Sequence, residues 1–407
     1  MTKVESDISE LILPETKIIN SNNVWGSVIN IEEEISIKKT PKDIVENLRK
    51  AFAKGKTKSL KFRETQLKSL LNFLEERKED IEKALYKDLR KHKQESNICE
   101  IELVANDLRH TIIDFKKWTK PETPEKRLVN LLDGVYIYKD PYGVVLIIGA
   151  WNYPILLTLG PVVGALAAGN AIILKPSELA PATGELLAKV LTKYLDPEYF
   201  QVILGGVDET TELLREKFDY IFFTGSTTVG KIVHQAAAKN LTPTTLELGG
   251  KSPVYLDESA DINVSTRRII WGKLLNAGQT CVAPDYLLCT KNVQEMFLQE
   301  AKKVITEFYG SDPKASPDSC KIITERHFKR LIEFIKPENI ALGGESNVLE
   351  RILNPTILIN VSPDDPVMRE EIFGPILPIV NVKDVEEAVQ FINSRDKPLA
   401  LYIFAKK

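Results

Sequence analysis

From Pro141 to Leu174 the chain runs for 34 residues without a charged side chain: PYGVVLIIGAWNYPILLTLGPVVGALAAGNAIIL. Length alone would suffice for a membrane-spanning helix. The punctuation argues otherwise, because Gly149, Asn152, Pro154, Gly160, Pro161, Gly169 and Asn170 cut the run into short pieces. GVVLIIGA has the length and β-branching of a strand buried on both faces. Residues 155–168 suit a buried helix, and NAIILK suits a second strand. The run therefore reads as a βαβ unit, which commits its neighbours to a parallel sheet covered by helices.

The flanking sequence agrees. Residues 41–120 carry apolar positions at three- and four-residue spacing, with charges between them that read as solvated helix faces. Thr40-Pro41 supplies a cap and a first-turn proline. GVYIYKDPYG, at 134–143, alternates around Asp140-Pro141 and predicts a hairpin. Beyond the βαβ unit come a helix from Pro181 to about Tyr194, FQVILGG, a short helix in DETTELLREK, YIFFTG, a helix from about Thr228, and TTLELGG. This alternation predicts an α/β fold with a doubly wound sheet that binds ligands at the carboxyl ends of its strands. A second α/β region follows, with strands in SPVYLD, YLLCTK, NPTILIN, ILPIVNV and ALYIF. The expected division is a leader at 1–40, a helical layer with a cofactor-binding domain at 41–246, and a catalytic domain at 247–407. Within the leader VWGSVINI could pair as a strand, but a mobile tail is the reading preferred.

Composition narrows the function classes. The formal net charge is −3, from 57 acidic and 54 basic residues. The leader alone carries four Lys and seven Asp or Glu, so the rest of the chain is balanced. Such a chain has no general attraction for nucleic acid or an anionic membrane. The leader lacks the pattern of a secretion signal. Cys99, Cys281, Cys289 and Cys320 are scattered, and no His lies at metal-ligand spacing from them. Free thiols in a reducing, cytoplasmic compartment are expected, with no metal centre.

Six short stretches carry candidate chemistry. In GQTCVAPDY, Cys281 is either a nucleophile or an inert buried thiol. In TTLELGGKSP, Glu247 lies in an otherwise apolar strand end, where burial would raise its pKa toward that of a general base; backbone amides could equally hold it. In WNYP, Asn152 ends a strand and could donate to an oxyanion or make a turn. In YIFFTGSTTVG, a strand meets Gly225 and a helix opens by Gly230, leaving Ser226, Thr227, Thr228 and Val229 at a helix start that favours phosphate. That spacing is not the GxGxxG dinucleotide fingerprint, and a plain tight turn would look the same. In LKPSE, Lys175 sits past a strand end, where it meets ribose or solvent. In EEIFGPILPI, Glu371 and Phe373 precede a Gly-Pro turn.

Taken in order, GAWNYP, LKPSE, FFTGSTTVG, LELGGKSP, GQTCVAPDY and EEIFGPILPI resemble the aldehyde dehydrogenase superfamily, and most of all its class 3 branch with the fatty aldehyde dehydrogenases. The resemblance runs from about residue 42 to the end. It implies NAD(P)-dependent oxidation of aliphatic (long-chain included) or aromatic aldehydes to carboxylic acids. Cys281 would be the nucleophile, Asn152 with the Cys281 backbone N–H the oxyanion donor, and Glu247 the water-activating base. Residues Gly225 to Gly230 would lie by the pyrophosphate, Lys175 and Glu178 by the adenosine ribose, and Glu371 and Phe373 on the nicotinamide side. NAD is the expected cofactor, with NADP also accepted by such relatives, and a homodimer using the 134–142 hairpin is the expected assembly. Similar proteins continue beyond ALYIF, so a carboxyl-terminally shortened chain is expected. A non-catalytic form that binds nucleotide or a full-length subunit is the alternative function.

Overall fold

The computed structural model describes residues 40–406; the strand and tail readings for the leader lie outside them. Thr40 forms a capping box with Asp43 and starts the helix Pro41–Ala53. Helices Leu60–Glu76, Lys78–Leu89 and Glu102–Trp118 complete a layer against the first sheet. Leu67, Leu70, Phe73, Leu85, Leu108 and Phe115 form its buried face. Each such side chain contributes about 1.5–3 kcal/mol of burial free energy.

The first sheet contains β1 (Val144–Ile148), β2 (Ala171–Lys175), β3 (Phe200–Val202), β4 (Tyr220–Gly225) and β5 (Thr244–Leu248), in the order β3-β2-β1-β4-β5. All its pairings are parallel, with Val144 opposite Ala171 and Ile148 opposite Lys175. Every residue of β1 and β2 is buried, as the uncharged run requires. Val145 and Ile147 face the helical layer, whereas Val144, Leu146 and Ile148 face the other core. The middle of the run is the helix Leu156–Ala168. Among the described residues no helix is long and apolar enough to cross a membrane.

The second sheet uses β6 (Pro253–Leu256), β7 (Tyr286–Cys289), β8 (Ile340–Leu342), β11 (Thr356–Leu358), β12 (Ile376–Asn381) and β13 (Tyr402–Phe404). Its order is β13-β6-β7-β12-β11-β8, and only β8 runs antiparallel. A small ribbon of β9 (Ser346–Asn347) and β10 (Ile352–Leu353) stands apart from it. Strand β7 shows how both faces are filled: Tyr286 and Leu288 enter one core, Leu287 and Cys289 the other. Cys289 is thus a core residue, and burial pushes its thiol up to about 12.

Two sequence expectations are corrected. The 134–143 segment forms no hairpin; Ile137 makes a single antiparallel bridge with Glu122, through bonds of 2.8 and 3.0 Å. Its alternating apolar residues find no cover within the described chain, so Tyr136, Tyr138 and Tyr142 stay exposed. The charges of the helical layer are also not all solvated. Lys91 and Glu100 are fully buried against one another.

Candidate active site

In the first sheet the strand order reverses between β1 and β4, so the chains leaving them diverge and open a crevice. Three of the stretches singled out above follow strands of this sheet: WNYP after β1, LKPSE at the end of β2 and GSTTVG at the end of β4. Lys175, at the end of β2, is buried and pairs with Glu178 at 3.0 Å. After β4, Ser226 caps the helix Thr227–Ala238 by accepting from the Val229 N–H at 3.4 Å. Residues Ser226 to Val229 are exposed, so the positive end of this helix faces open space. The glycines around it have a packing reason. A Cβ at Gly225 would come within 2.6 Å of the Phe223 ring, and one at Gly230 within 2.7 Å of Leu248.

The loop after β1 and the loop before β7 meet at Asn152. Its side-chain Nδ2 donates to the Gln279 carbonyl at 3.1 Å, which uses one of two amide protons. Tyr153 and Thr280 share a hydroxyl hydrogen bond of 2.8 Å. The second loop is strained: Asn276 and Ala277 both have φ 53°, and Gly278 follows at 73°. Side chains hold it there. The Asn276 Nδ2 donates to the Asn152 carbonyl at 2.7 Å and to the Gln279 carbonyl at 3.1 Å. The Gln279 Nε2 donates to the carbonyls of Asn276 and Lys321, at 3.0 and 3.1 Å, and its Oε1 accepts from the Ile323 N–H. Glu95 accepts from the Asn276 N–H at 2.7 Å.

Cys281 follows directly and is partly exposed. Burial pushes its thiol up, and the charges of Glu371 and, more weakly, Glu247 push the same way. The backbone N–H groups of Cys281 and Val282 act in the opposite direction. Both carboxylates therefore lie within electrostatic reach of the sulfur. They differ in setting. Glu247 was expected in apolar surroundings, but its side chain is exposed, because β5 is the outer strand of its sheet. The enclosed carboxylate is Glu371. Burial and the nearby Asp285 raise it to about 7, against the Gly250 N–H and the charges of Lys273 and Lys251.

The loop bearing Glu371 is fastened at several points. Arg330 donates to the carbonyls of Glu371 and Ile372 at 3.1 and 2.6 Å. Lys251 donates to Asp285 at 2.5 Å and to the carbonyls of Val367 and Glu370, while Asp285 accepts from the Ile372 N–H. Lys273 is buried without a hydrogen bond, 4.0 Å from Asp285, and burial pulls it down to about 8. Phe373 has φ 53° and meets Trp151 edge-on at 5.2 Å. His327 meets the same indole at 5.3 Å, and burial pulls it down to about 4.

Lys251, Asp285, Asn276 and Gln279 stood inside or beside the quoted stretches, but spacing gave them no role. Lys91, Glu100 and Lys273 sit in sequence that looks amphipathic, and only the assembled layers show them buried. Among the described residues no group of His, Cys, Asp and Glu is arranged to hold a metal ion.

Comparison with known proteins bears on the family and the fold. Residues 26–407 match the model of the aldehyde dehydrogenase family. The chain is 50% identical over 361 residues to aldehyde dehydrogenase family 3 member A2 of Rattus norvegicus, covering 89% of this chain and 75% of that protein. It is 50% identical over 362 residues to the dimeric NADP-preferring aldehyde dehydrogenase of Mus musculus, covering 89% and 80%. Among solved structures, the substrate-bound Staphylococcus aureus AldH superposes with a TM-score of 0.89 at 42% identity, covering 91% of this chain and 81% of that one. A Mycobacterium tuberculosis aldehyde dehydrogenase complexed with NAD+ gives 0.80 at 26% identity, covering 90% and 79%. With its all-parallel first sheet, its mixed second sheet and these matches along its length, the chain belongs to the aldehyde dehydrogenase family.

Proposed function

We propose that the chain oxidises aliphatic or aromatic aldehydes to carboxylic acids, long-chain aliphatic ones included, using Cys281 as nucleophile and NAD or NADP as oxidant. The observation that carries this is the meeting of Asn152 and the Cys281 loop through the Gln279 carbonyl. That contact, two residues from Cys281 in the chain, supports an amide donor acting together with the thiol. The residues fit the cofactor: an open helix start after Gly225, and Lys175 with Glu178 at a strand end. A relative named NADP-preferring and a structure complexed with NAD+ support the same class of cofactor.

Cys281 must first lose its proton, because burial and Glu371 favour the thiol. The thiolate then adds to the aldehyde carbon, and the carbonyl π pair moves onto oxygen. The remaining Asn152 amide proton and the Cys281 N–H stabilise that oxyanion. The bound dinucleotide supplies the acceptor for the hydride that leaves as the carbonyl re-forms. A thioester on Cys281 remains. Glu247 takes a proton from water, which attacks the thioester carbon; the thiolate leaves and the acid is released.

A second reading concerns the base. Glu371 has the carboxyl held near 7, whereas Glu247 is exposed. A base poised near the working pH is the better proton acceptor, so Glu371 is the competing candidate. Rapid mixing with NAD and a medium-chain aldehyde tests both readings. The expected result is a burst of NADH that Cys281→Ser abolishes. Glu247→Gln should keep the burst and block acid release; if Glu371→Gln does so instead, the base is Glu371. Nucleotide binding without any burst would sink the dehydrogenase reading and leave a non-catalytic nucleotide binder.

A further inference from the structure

We infer that the buried Lys91–Glu100 ion pair is a positioning device for the Asn152 carboxamide, and so for the oxyanion site. This rests on the proposed role of Asn152. Both side chains are fully buried and 2.5 Å apart. What matters is where their other bonds go. The Lys91 ammonium donates to the Asn152 carbonyl at 3.1 Å and lies 4.1 Å from the centre of the Tyr153 ring. The second Glu100 oxygen accepts from the N–H groups of Ile155 and Leu156, at 2.8 and 3.3 Å. Every bond that leaves the pair therefore lands on residues 152–156. A pair kept only to join its own two segments would bond within its own layer.

Residues 152–156 need such support. The helix Leu156–Ala168 begins with no capping side chain of its own. Pro154 has no N–H to donate. Glu100 supplies the missing cap from another element, at the helix end that favours negative charge. The Asn152 carbonyl takes two donors at once, Lys91 from the helical layer and Asn276 from the thiol loop. The backbone of Asn152 is thus fixed between the two elements, and its side-chain amide is left aimed along the Gln279 carbonyl. One nitrogen with three protons meets a carboxylate, a carbonyl and an aromatic face together. Methionine matches the length of lysine but supplies none of these bonds.

The test needs no nucleotide. With p-nitrophenyl acetate, the Cys281 thiolate attacks the ester carbon, the C–S bond forms, the C–O bond breaks and p-nitrophenolate leaves. That reaction passes through an oxyanion. Alkylation of Cys281 by iodoacetamide does not. Lys91→Met, and Lys91→Met/Glu100→Gln with no charge left unpaired, are expected to slow acylation at least about tenfold, less than the full loss of an oxyanion donor. Alkylation should stay within about twofold, and in an Asn152→Ala background Lys91→Met should cost nothing further. Should the single variant fail to fold, the double variant carries the test. Unchanged acylation, additive losses, or alkylation falling in parallel with acylation would each overturn the inference. If Asn152→Ala itself acylates at full speed, the role of Asn152 falls and takes the positioning role with it. A slow Asn152→Ala beside a fast Lys91 variant overturns the positioning role alone.

Discussion

The carboxylate of Glu371 occupies the space that a side chain at Gly249 would fill: an added Cβ would lie 2.2 Å from Oε2. Gly249→Ala must therefore displace one or the other. The carboxylate is the free end of a flexible side chain, so it is the part that yields, leaving the Gly250 N–H behind. The fold should survive, with a melting shift of no more than about 3 °C. Turnover should fall by about 10- to 100-fold, as misplaced active-site groups do. Wild-type turnover from this variant would show that the position of Glu371 is irrelevant.

Glu371 also acts on the thiol. Its negative charge disfavours a second one nearby, and it is the largest charge effect raising Cys281. Glu371→Gln removes that charge, so the thiol pKa should fall. Iodoacetamide at neutral pH should then alkylate Cys281 faster than in the wild type. An equal or slower rate would mean that the two groups do not sense one another.

The same carboxyl gives stability a pH dependence of known sign. Its folded value is about 7, against 4.5 ordinarily. Between these values the folded chain keeps a proton that the unfolded chain has lost. The stability it contributes is complete below about 4.5 and is lost as pH rises through about 7, by at most about 3 kcal/mol. Glu371→Gln keeps a neutral side chain throughout. Its melting temperature relative to wild type should therefore climb from about pH 5 to about pH 8. A flat difference across that range would contradict the enclosed setting of Glu371.

Lys273 opposes the rise of Glu371. It is buried with no hydrogen bond and is pulled down to about 8, so its charge is present near neutrality. Replacing it by methionine removes a positive charge beside both Asp285 and Glu371. The limb of the pH–rate profile that follows Glu371 should then move to higher pH, with nucleotide affinity unchanged. A limb that stays in place would exclude Lys273 from setting the proton affinity of this site.

Much of this architecture can be read locally. A fully buried strand needs continuous apolar residues, and VVLII and AIILK advertise it. Cys289 sits mid-strand and reads as core, whereas Cys281 stands in a loop between Gly and Pro. The exposure of Glu247 could not be read, because it depends on which strand ends outermost. The same holds for Lys91 and Glu100. On paper they are two charges in an amphipathic region, and their burial appears only when the β1 loop is laid across them. The supposed hairpin failed for a related reason. Alternation predicts extended backbone but names no partner, and Ile137 finds only Glu122.

The Asn152 carbonyl takes donors from Lys91 and from Asn276, residues that stand far apart along the chain. Contacts of such wide sequence separation form slowly, since the intervening loops must close first. On refolding, helical signal and tryptophan burial should return before reactivity toward an ester does. Recovery of the thiol's acylating power thus dates the moment when the layers lock.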